Sequence, residues 1–215
     1  MRFVVAFAIM GEYMQILFAT GNAGKLAEVK LRLEPLGHSV RSLHEFVPGA
    51  TIIEPQSSNL ELVCRSKLEQ ALAHVRSSGI SEAKIDAVMV EDAGLFIDAL
   101  AGFPGVYSAY VFETVGLAGI LRLLEPYSEK QRKATFRCIT GIATDSDVSM
   151  HVGECSGGIV LAASGGGGFG YDPIFKPDGF EITFAEMAAE EKSAISHRGR
   201  ALDSFVAELS NDNLQ

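Results

Sequence analysis

Positive charge is scarce in this 215-residue chain, which carries 18 Lys and Arg against 27 Asp and Glu, a net charge of −9. A protein that coats nucleic acid normally shows a basic face, so this balance argues against a nucleic-acid partner. A small anionic ligand remains compatible with it, given local cations or a metal held by the surplus carboxylates. Cysteine is scarcer still. Cys64, Cys138 and Cys155 are odd in number, far apart and without a C-x-x-C pair. Neither a zinc site nor a disulfide framework is indicated, and a reducing, cytoplasmic location is expected. Long apolar runs are lacking as well. The run Phe3–Met10 behind Arg2 has the look of a secretory leader, but it is short and no A-x-A pattern precedes Gly11-Glu12. It is also too short to span a bilayer, so no membrane partner is expected. Residues 1–13 read as an N-terminal extension or an extra strand, with Met14 opening the functional chain, and residues 14–215 as one domain. No repeat, linker or long polar tract occurs. With 47% hydrophobic residues, a sizeable core is available.

Strand and helix patterns alternate through the first half. Residues 15–20 read as a buried strand and 24–36 as a helix with Leu26, Val29, Leu33 and Leu36 on one face, ended by Pro35-Leu36-Gly37. Ser39–Leu43 reads as a second strand and 44–57 as loop. Ser58-x-x-Glu61 has the form of a capping box before a helix that carries Lys67 beside its apolar stripe. Ala87–Val90 reads as a short strand ending in Glu91-Asp92, with Leu95–Leu100 a continuation or a hairpin. Gly102–Ser108 reads as loop and Thr114–Leu124 as helix. Ala134–Ala143 and Val148–Leu161 form two long strands about a polar turn at Asp145-Ser146-Asp147. Thr183-x-x-Glu186 repeats the capping-box pattern before two short helices, with a frayed tail from Ser210. Together these patterns give an α/β fold with a mixed sheet.

Four stretches carry possible chemistry. "TGNAGK" (Thr20–Lys25) joins a strand to a helix start, where unpaired N–H groups and a partial positive charge suit an anion. A plain turn fits it too, and it is not a Walker A loop, because Leu26 follows Lys25. Glu91-Asp92 at the mouth of a buried strand suits a hard cation, or else a solvated strand end. "GGGGFGYDPIF" (Gly165–Phe175) offers close backbone approach, stacking faces at Phe169 and Tyr171 and an acceptor at Asp172; a hairpin with core aromatics is the plainer reading. "EEKSAISHRGRA" (Glu190–Ala201) brings Lys192, His197 and Arg198 together, with Ser196 as the cap of the last helix. Cations in a first turn oppose the helix dipole, and an anionic or carbonyl-bearing ligand would remove that conflict.

Taken in order, "TGNAGKLAEV", "VEDAGLFIDALAGFPGVYS", "GGFGYDPIF" and "EEKSAISHRGRAL" resemble the inosine triphosphate pyrophosphatase family, over about residues 15–209. The resemblance implies an elongated mixed sheet with flanking helices, two lobes around a central nucleotide cleft, a homodimer and Mg²⁺ dependence. It implies hydrolysis of deaminated purine nucleoside triphosphates (ITP, dITP, XTP) to the monophosphate and pyrophosphate. Residue by residue, Thr20, Gly21, Asn22, Ala23, Gly24 and Lys25 match the phosphate-binding turn, and Lys67 matches a substrate lysine. Glu54 and Asp92 match metal ligands, with Glu91 beside them and Asp92 also a general base. Phe169, Gly170, Tyr171, Asp172, Lys192, His197 and Arg198 match nucleoside-binding residues. Asp92, Lys25 and Lys67 are thus the catalytic candidates. The chain departs from the pattern twice: Ala93 stands where a hydroxyl residue is usual, and Ala109-Tyr110 where relatives carry a cation. Two other readings stay open, an enzyme of similar fold acting on ordinary or pyrimidine triphosphates and a non-catalytic nucleotide-binding protein.

Overall fold

The computed structural model describes residues 13–79 and 85–212. Most of the expected N-terminal extension, and the tail beyond Asp212, lie outside the described residues. One seven-stranded mixed sheet runs through the fold: β1 (Gln15–Phe18), β2 (Ser39–Ser42), β3 (Ala87–Ile97), β4 (Pro104–Gly105), β5 (Lys133–Ala143), β6 (Val148–Ile159) and β7 (Phe175–Pro177). The spatial order is β2-β1-β3-β5-β6-β7, with β4 also paired to β3. β1 is parallel to both its neighbours, and every pairing from β3 onward is antiparallel.

Helices cover both faces of the parallel half. α1 (Ala23–Leu33) and α7 (His197–Asp212) lie on one face, where Ile16, Phe18 and Met89 pack with Val29, Leu33, Leu202 and Phe205. α3 (Leu60–Ser77) lies on the other, where Leu17, Val88 and Val90 pack with Leu60, Cys64, Leu68 and Ala71. A third cluster fills the antiparallel end around Leu95, Phe136, Phe175 and Phe184. α2 (Leu43–Phe46), α4 (Ser108–Thr114), α5 (Gly116–Leu123) and α6 (Ala189–Ile195) are short connectors.

Several expectations need correction. α2 occupies part of the expected loop, because Ser42 and Glu45 form a capping box that turns the chain as soon as β2 ends. Ser58 does not cap α3. The side chain of Asn59 accepts from Glu61 N and Leu62 N instead, and asparagine is as good a cap as serine. The expected loop and helix between Gly102 and Leu124 become two helices divided at Gly116, whose φ of +66° a side-chain-bearing residue seldom adopts. α7 runs to Asp212, past the expected fraying point, and β6 stops at Ile159 rather than Leu161. The largest correction is β3. It does not end at Val90 but continues in register with β5 from Val88↔Ala143 to Ile97↔Ala134, so Glu91 and Asp92 are mid-strand. The turn at 145–147, the box at Thr183–Glu186 and the Ser196 cap form as expected.

Candidate active site

The fold makes a gap at the end of β1. β1 pairs with β3 only as far as Phe18↔Met89, and β4 takes up the same edge only at Leu95 and Phe96. Between them the edge of β3 carries no strand among the described residues, a stretch of roughly 20 Å at strand rise. From the end of β1 the chain leaves into α1 on one face and returns to β3 through α3 on the other. A strand end where connections part in this way is where open α/β sheets bind ligands.

The Thr20–Lys25 turn sits at that end. Thr20 Oγ1 accepts from Asn22 N (3.1 Å), and Asn22 Oδ1 accepts from Lys25 N (3.0 Å) as the cap of α1. This satisfies one of the four orphan donors that a helix start presents. Gly24 has a steric reason as well. A Cβ there would come 2.5 Å from the Phe169 ring, so the half-buried phenyl lies directly against the first turn of α1.

Adjacent strand residues point to opposite faces, and this divides the carboxylate pair. Glu91 lies on the α1/α7 face. Its oxygens take a bidentate contact from Arg198, with Nη2 at 2.7 Å, and one from Lys25 Nζ at 3.2 Å. Arg198 also donates through Nη1 to Glu28, and Glu28 accepts from Lys192 Nζ at 2.6 Å. Lys192 continues to Asp172 Oδ2 (2.6 Å), which accepts from Phe169 N (2.7 Å). Three cations and three anions form one neutral chain from the Thr20–Lys25 turn to the Phe169 loop. Burial raises the energy of a Glu91 carboxylate, but Arg198 and then Lys25 outweigh it, and the group is held well below the usual range. Burial likewise opposes the Arg198 charge, and Glu91 overcomes it.

Asp92 lies on the α3 face. Lys67 Nζ sits between Asp92 Oδ1 (3.1 Å) and Glu54 Oε1 (2.6 Å). Asp92 Oδ2 is buried and accepts no hydrogen bond among the described residues. Burial raises the Asp92 pKa, only partly offset by Lys67 and Lys25. Lys67 stays protonated because Asp92 and Glu54 outweigh its own burial. No group of three or more His, Cys, Asp or Glu converges among the described residues. Mg²⁺ commonly uses one or two carboxylates and takes its other ligands from water and phosphate. An orphaned buried carboxylate oxygen beside the half-exposed Glu54, both oxygen donors already facing a cation, fits such an ion. The structure does not bring Glu91 to it.

The remaining candidates divide. His197 opens α7, stacked flat on Phe136 (4.6 Å, 7°), with its buried Nδ1 lacking a partner among the described residues. Burial, and then the neighbouring Arg198 charge, lower its pKa well below the usual value, so the ring is neutral. The start of α7 is pressed so tightly on β6 that a Cβ at Gly153 would lie 1.9 Å from His197 O. Tyr171 is not a stacking platform. It is buried, its hydroxyl donates to Ser108 O (2.8 Å) and its ring meets Phe112 edge-on. Gly170, beside it, has a φ of +61°. Ala93 shares the Glu91 face, and Tyr110 is exposed on α4. Sequence reasoning gives Glu28 no role, although its place one turn after Lys25, on the same face of α1, marks it as a partner for charges there. A groove of about 600 Å³ lies elsewhere, at the β6–β7 end of the sheet. Its lysines 133 and 176 are already paired with Asp178 and Glu129, and no candidate residue lines it.

A helix-start turn, an acidic gap and a phenyl-lined loop meet on one mixed α/β sheet beside a carboxylate–lysine centre. The chain belongs to the Ham1 family, whose sequence model matches residues 16–208. It is 42% identical over 193 residues to a dITP/XTP pyrophosphatase of Thermococcus kodakarensis, covering 90% of this chain and 96% of that one. It is 43% identical over 200 residues to a dITP/XTP pyrophosphatase of Methanopyrus kandleri, covering 93% and 98%. Among solved structures, a HAM1 protein from Coxiella burnetii matches with a TM-score of 0.76 at 29% identity, covering 92% of this chain and 99% of that one. The mixed α/β fold expected from the sequence is thus shared with Ham1 proteins.

Proposed function

We propose that this protein is a nucleoside triphosphate pyrophosphatase that hydrolyses deaminated purine nucleoside triphosphates, ITP, dITP and XTP, to the monophosphate and pyrophosphate. The observation that carries this reading is the Asp92 oxygen left without a partner among the described residues, beside Glu54 and Lys67, in a sheet gap that opens on the start of α1. The triphosphate lies along the gap, its charge met by Lys25 and the α1 N–H groups. The raised pKa of Asp92 suits a base that takes a proton from the attacking water. Lys67 stabilises charge shifting onto the leaving pyrophosphate. Mg²⁺, held by Glu54 and Asp92, would neutralise phosphate charge and lower the pKa of water.

The base stacks on Phe169. Two Arg198 N–H groups remain after Glu91 and Glu28 are served, and neutral His197 adds another polar edge. Donors there suit the 6-carbonyl of hypoxanthine or xanthine and leave a 6-amino group mispaired, at a cost of about 1–3 kcal/mol. Residues 14–215 form one two-lobed domain in this reading, acting as a homodimer in the cytoplasm. The exposed apolar side chains Tyr107, Tyr110, Phe112 and Val115 support the dimer, and three free buried cysteines support the compartment. The test is product analysis with ITP and Mg²⁺. IMP and pyrophosphate are expected; IDP and orthophosphate would overturn α–β cleavage, and turnover undiminished by EDTA would overturn the metal requirement.

A further inference from the structure

Glu54 poses a problem of placement. It belongs to a stretch, residues 47–57, without helix or strand, and its side chain is 56% exposed. Ile53 beside it is 70% exposed, so burial at that residue does not fix the loop. Ala50 and Ile52 reach the core, but they lie four and two residues away. What holds the chain next to Glu54 is a polar stripe on α3. Lys67, Gln70 and His74 follow at helical spacing and share one face. Gln70 uses both ends of its amide on a single residue of the loop, accepting from Ile53 N at Oε1 (2.8 Å) and donating to Ile53 O from Nε2 (2.7 Å). His74 Nε2 donates to Thr51 O (3.0 Å). The Gln70 amide is itself oriented by Ser66, whose carbonyl and hydroxyl both lie 3.2 Å from Nε2. The pattern imitates one rung of a β-ladder, with a side chain standing in for the second strand.

We propose that Gln70, assisted by His74, is a positioning residue that straps the 51–54 segment to α3 and so holds the Glu54 carboxylate within reach of Asp92 and the divalent cation they share. This rests on the reading of Glu54 and Asp92 as the cation's protein ligands. Lys67 cannot do the work alone, because its ammonium is shared with Asp92 and a bound cation competes for the same oxygens. Gln70 never touches substrate or metal. Its loss therefore raises the metal concentration the enzyme needs and leaves turnover at saturating metal nearly intact.

The experiment uses the full chain and Mn²⁺ as the probe, with free Mn²⁺ read by electron paramagnetic resonance in the absence of nucleotide. Gln70→Met keeps the length and removes both bonds. It should weaken Mn²⁺ binding by about tenfold, as loss of an outer-shell partner does. Exchange of the Ile53 amide should accelerate, and kcat at saturating Mg²⁺ should stay within about twofold, since the single-bond energies at stake act only on the loop. Glu54→Gln, measured in parallel, should weaken Mn²⁺ at least as much. If Gln70→Met lowers the melting temperature, His74→Ala removes one strap bond at a half-buried position and should show a smaller change of the same sign. Wild-type Mn²⁺ affinity in the Gln70 variant, with Glu54→Gln impaired, overturns the strap and leaves the metal reading standing. Unchanged affinity in Glu54→Gln overturns the metal reading, and the proposal falls with it.

Discussion

Glu91 and Asp92 are neighbours in sequence, yet the sheet sends them into opposite environments. On the α1/α7 face, Glu91 is closed off by Arg198 and Lys25, inside a chain of six charges that sums to zero. On the α3 face, Asp92 meets one lysine and keeps one oxygen without a partner among the described residues. The Glu91 carboxylate is saturated, so its removal is felt as instability. The Asp92 carboxylate has capacity left over, so its removal is felt in chemistry. A buried ion pair that is broken on one side leaves the other charge uncompensated, whereas a carboxylate with a free oxygen is available to a cation or a proton.

The widest separation is expected between Asp92→Asn and Glu91→Gln. Asp92→Asn should lower kcat by at least about 10²-fold, the range for losing a general base, with the unfolding midpoint little changed. Glu91→Gln should cost about 3–5 kcal/mol of stability, because Arg198 stays buried without its bidentate partner. Urea titration and turnover on both variants decide this. If Glu91→Gln is as stable as wild type, or Asp92→Asn turns over normally, the two faces do not differ as described.

Lys67 sharpens the same contrast. Its ammonium lies between Glu54 and Asp92, the two carboxylates proposed to hold a divalent cation. Lys67→Met should therefore tighten Mn²⁺ binding to the nucleotide-free protein, since a competing charge is gone. Turnover should nevertheless fall by about 10²-fold as a stabiliser of the developing pyrophosphate charge is lost. Weaker Mn²⁺ binding in this variant would mean that Lys67 orients the carboxylates more than it competes for them.

Much of this is legible in the amino-acid sequence. The hydrophobic spacing marks α1, α3, the β5–β6 hairpin and α7, because each buries one regular face. Asn22, Lys25 and Arg198 stand out as a cap and charges at helix starts. The Glu91-Asp92 pair misleads for a physical reason. Two carboxylates look like the end of a buried strand unless cations from distant parts of the chain neutralise each face separately, and Lys67 and Arg198 lie 25 and 107 residues away from their partners. Tyr171 follows the plainer of its two sequence readings. Its glycine-rich context allows a stacking face as well as a core aromatic, and the core reading holds, with its hydroxyl donating to Ser108 O from across the fold. Gln70 leaves no signal, since a glutamine on a helix is ordinary until the loop it holds is seen.

The smallest expected effect concerns protons on the saturated side. His38, His151 and His197 all have pKa values below the ordinary histidine range, with burial the leading cause in each. At His197 the adjacent Arg198 charge adds to it, while Glu91 pulls the other way. In the unfolded chain each ring binds its proton near pH 6.5; in the folded protein it does so only at lower pH. Between those values the unfolded state holds more protons, so stability rises with pH. The contribution is fully present above about pH 6.5 and is lost as the pH falls through that point toward the folded-state value. His197→Gln should lower stability by a constant amount, from the lost stack on Phe136, and should also flatten the pH dependence. The difference in slope between wild type and variant should be about 1.4 kcal/mol per pH unit below pH 6.5, the value for one proton. Urea unfolding at pH 7.0, 6.0 and 5.0 separates the two effects, because the stacking loss shifts every point alike. Parallel lines would mean that His197 already carries its proton in the folded protein, with the pull of Glu91 outweighing burial on that face.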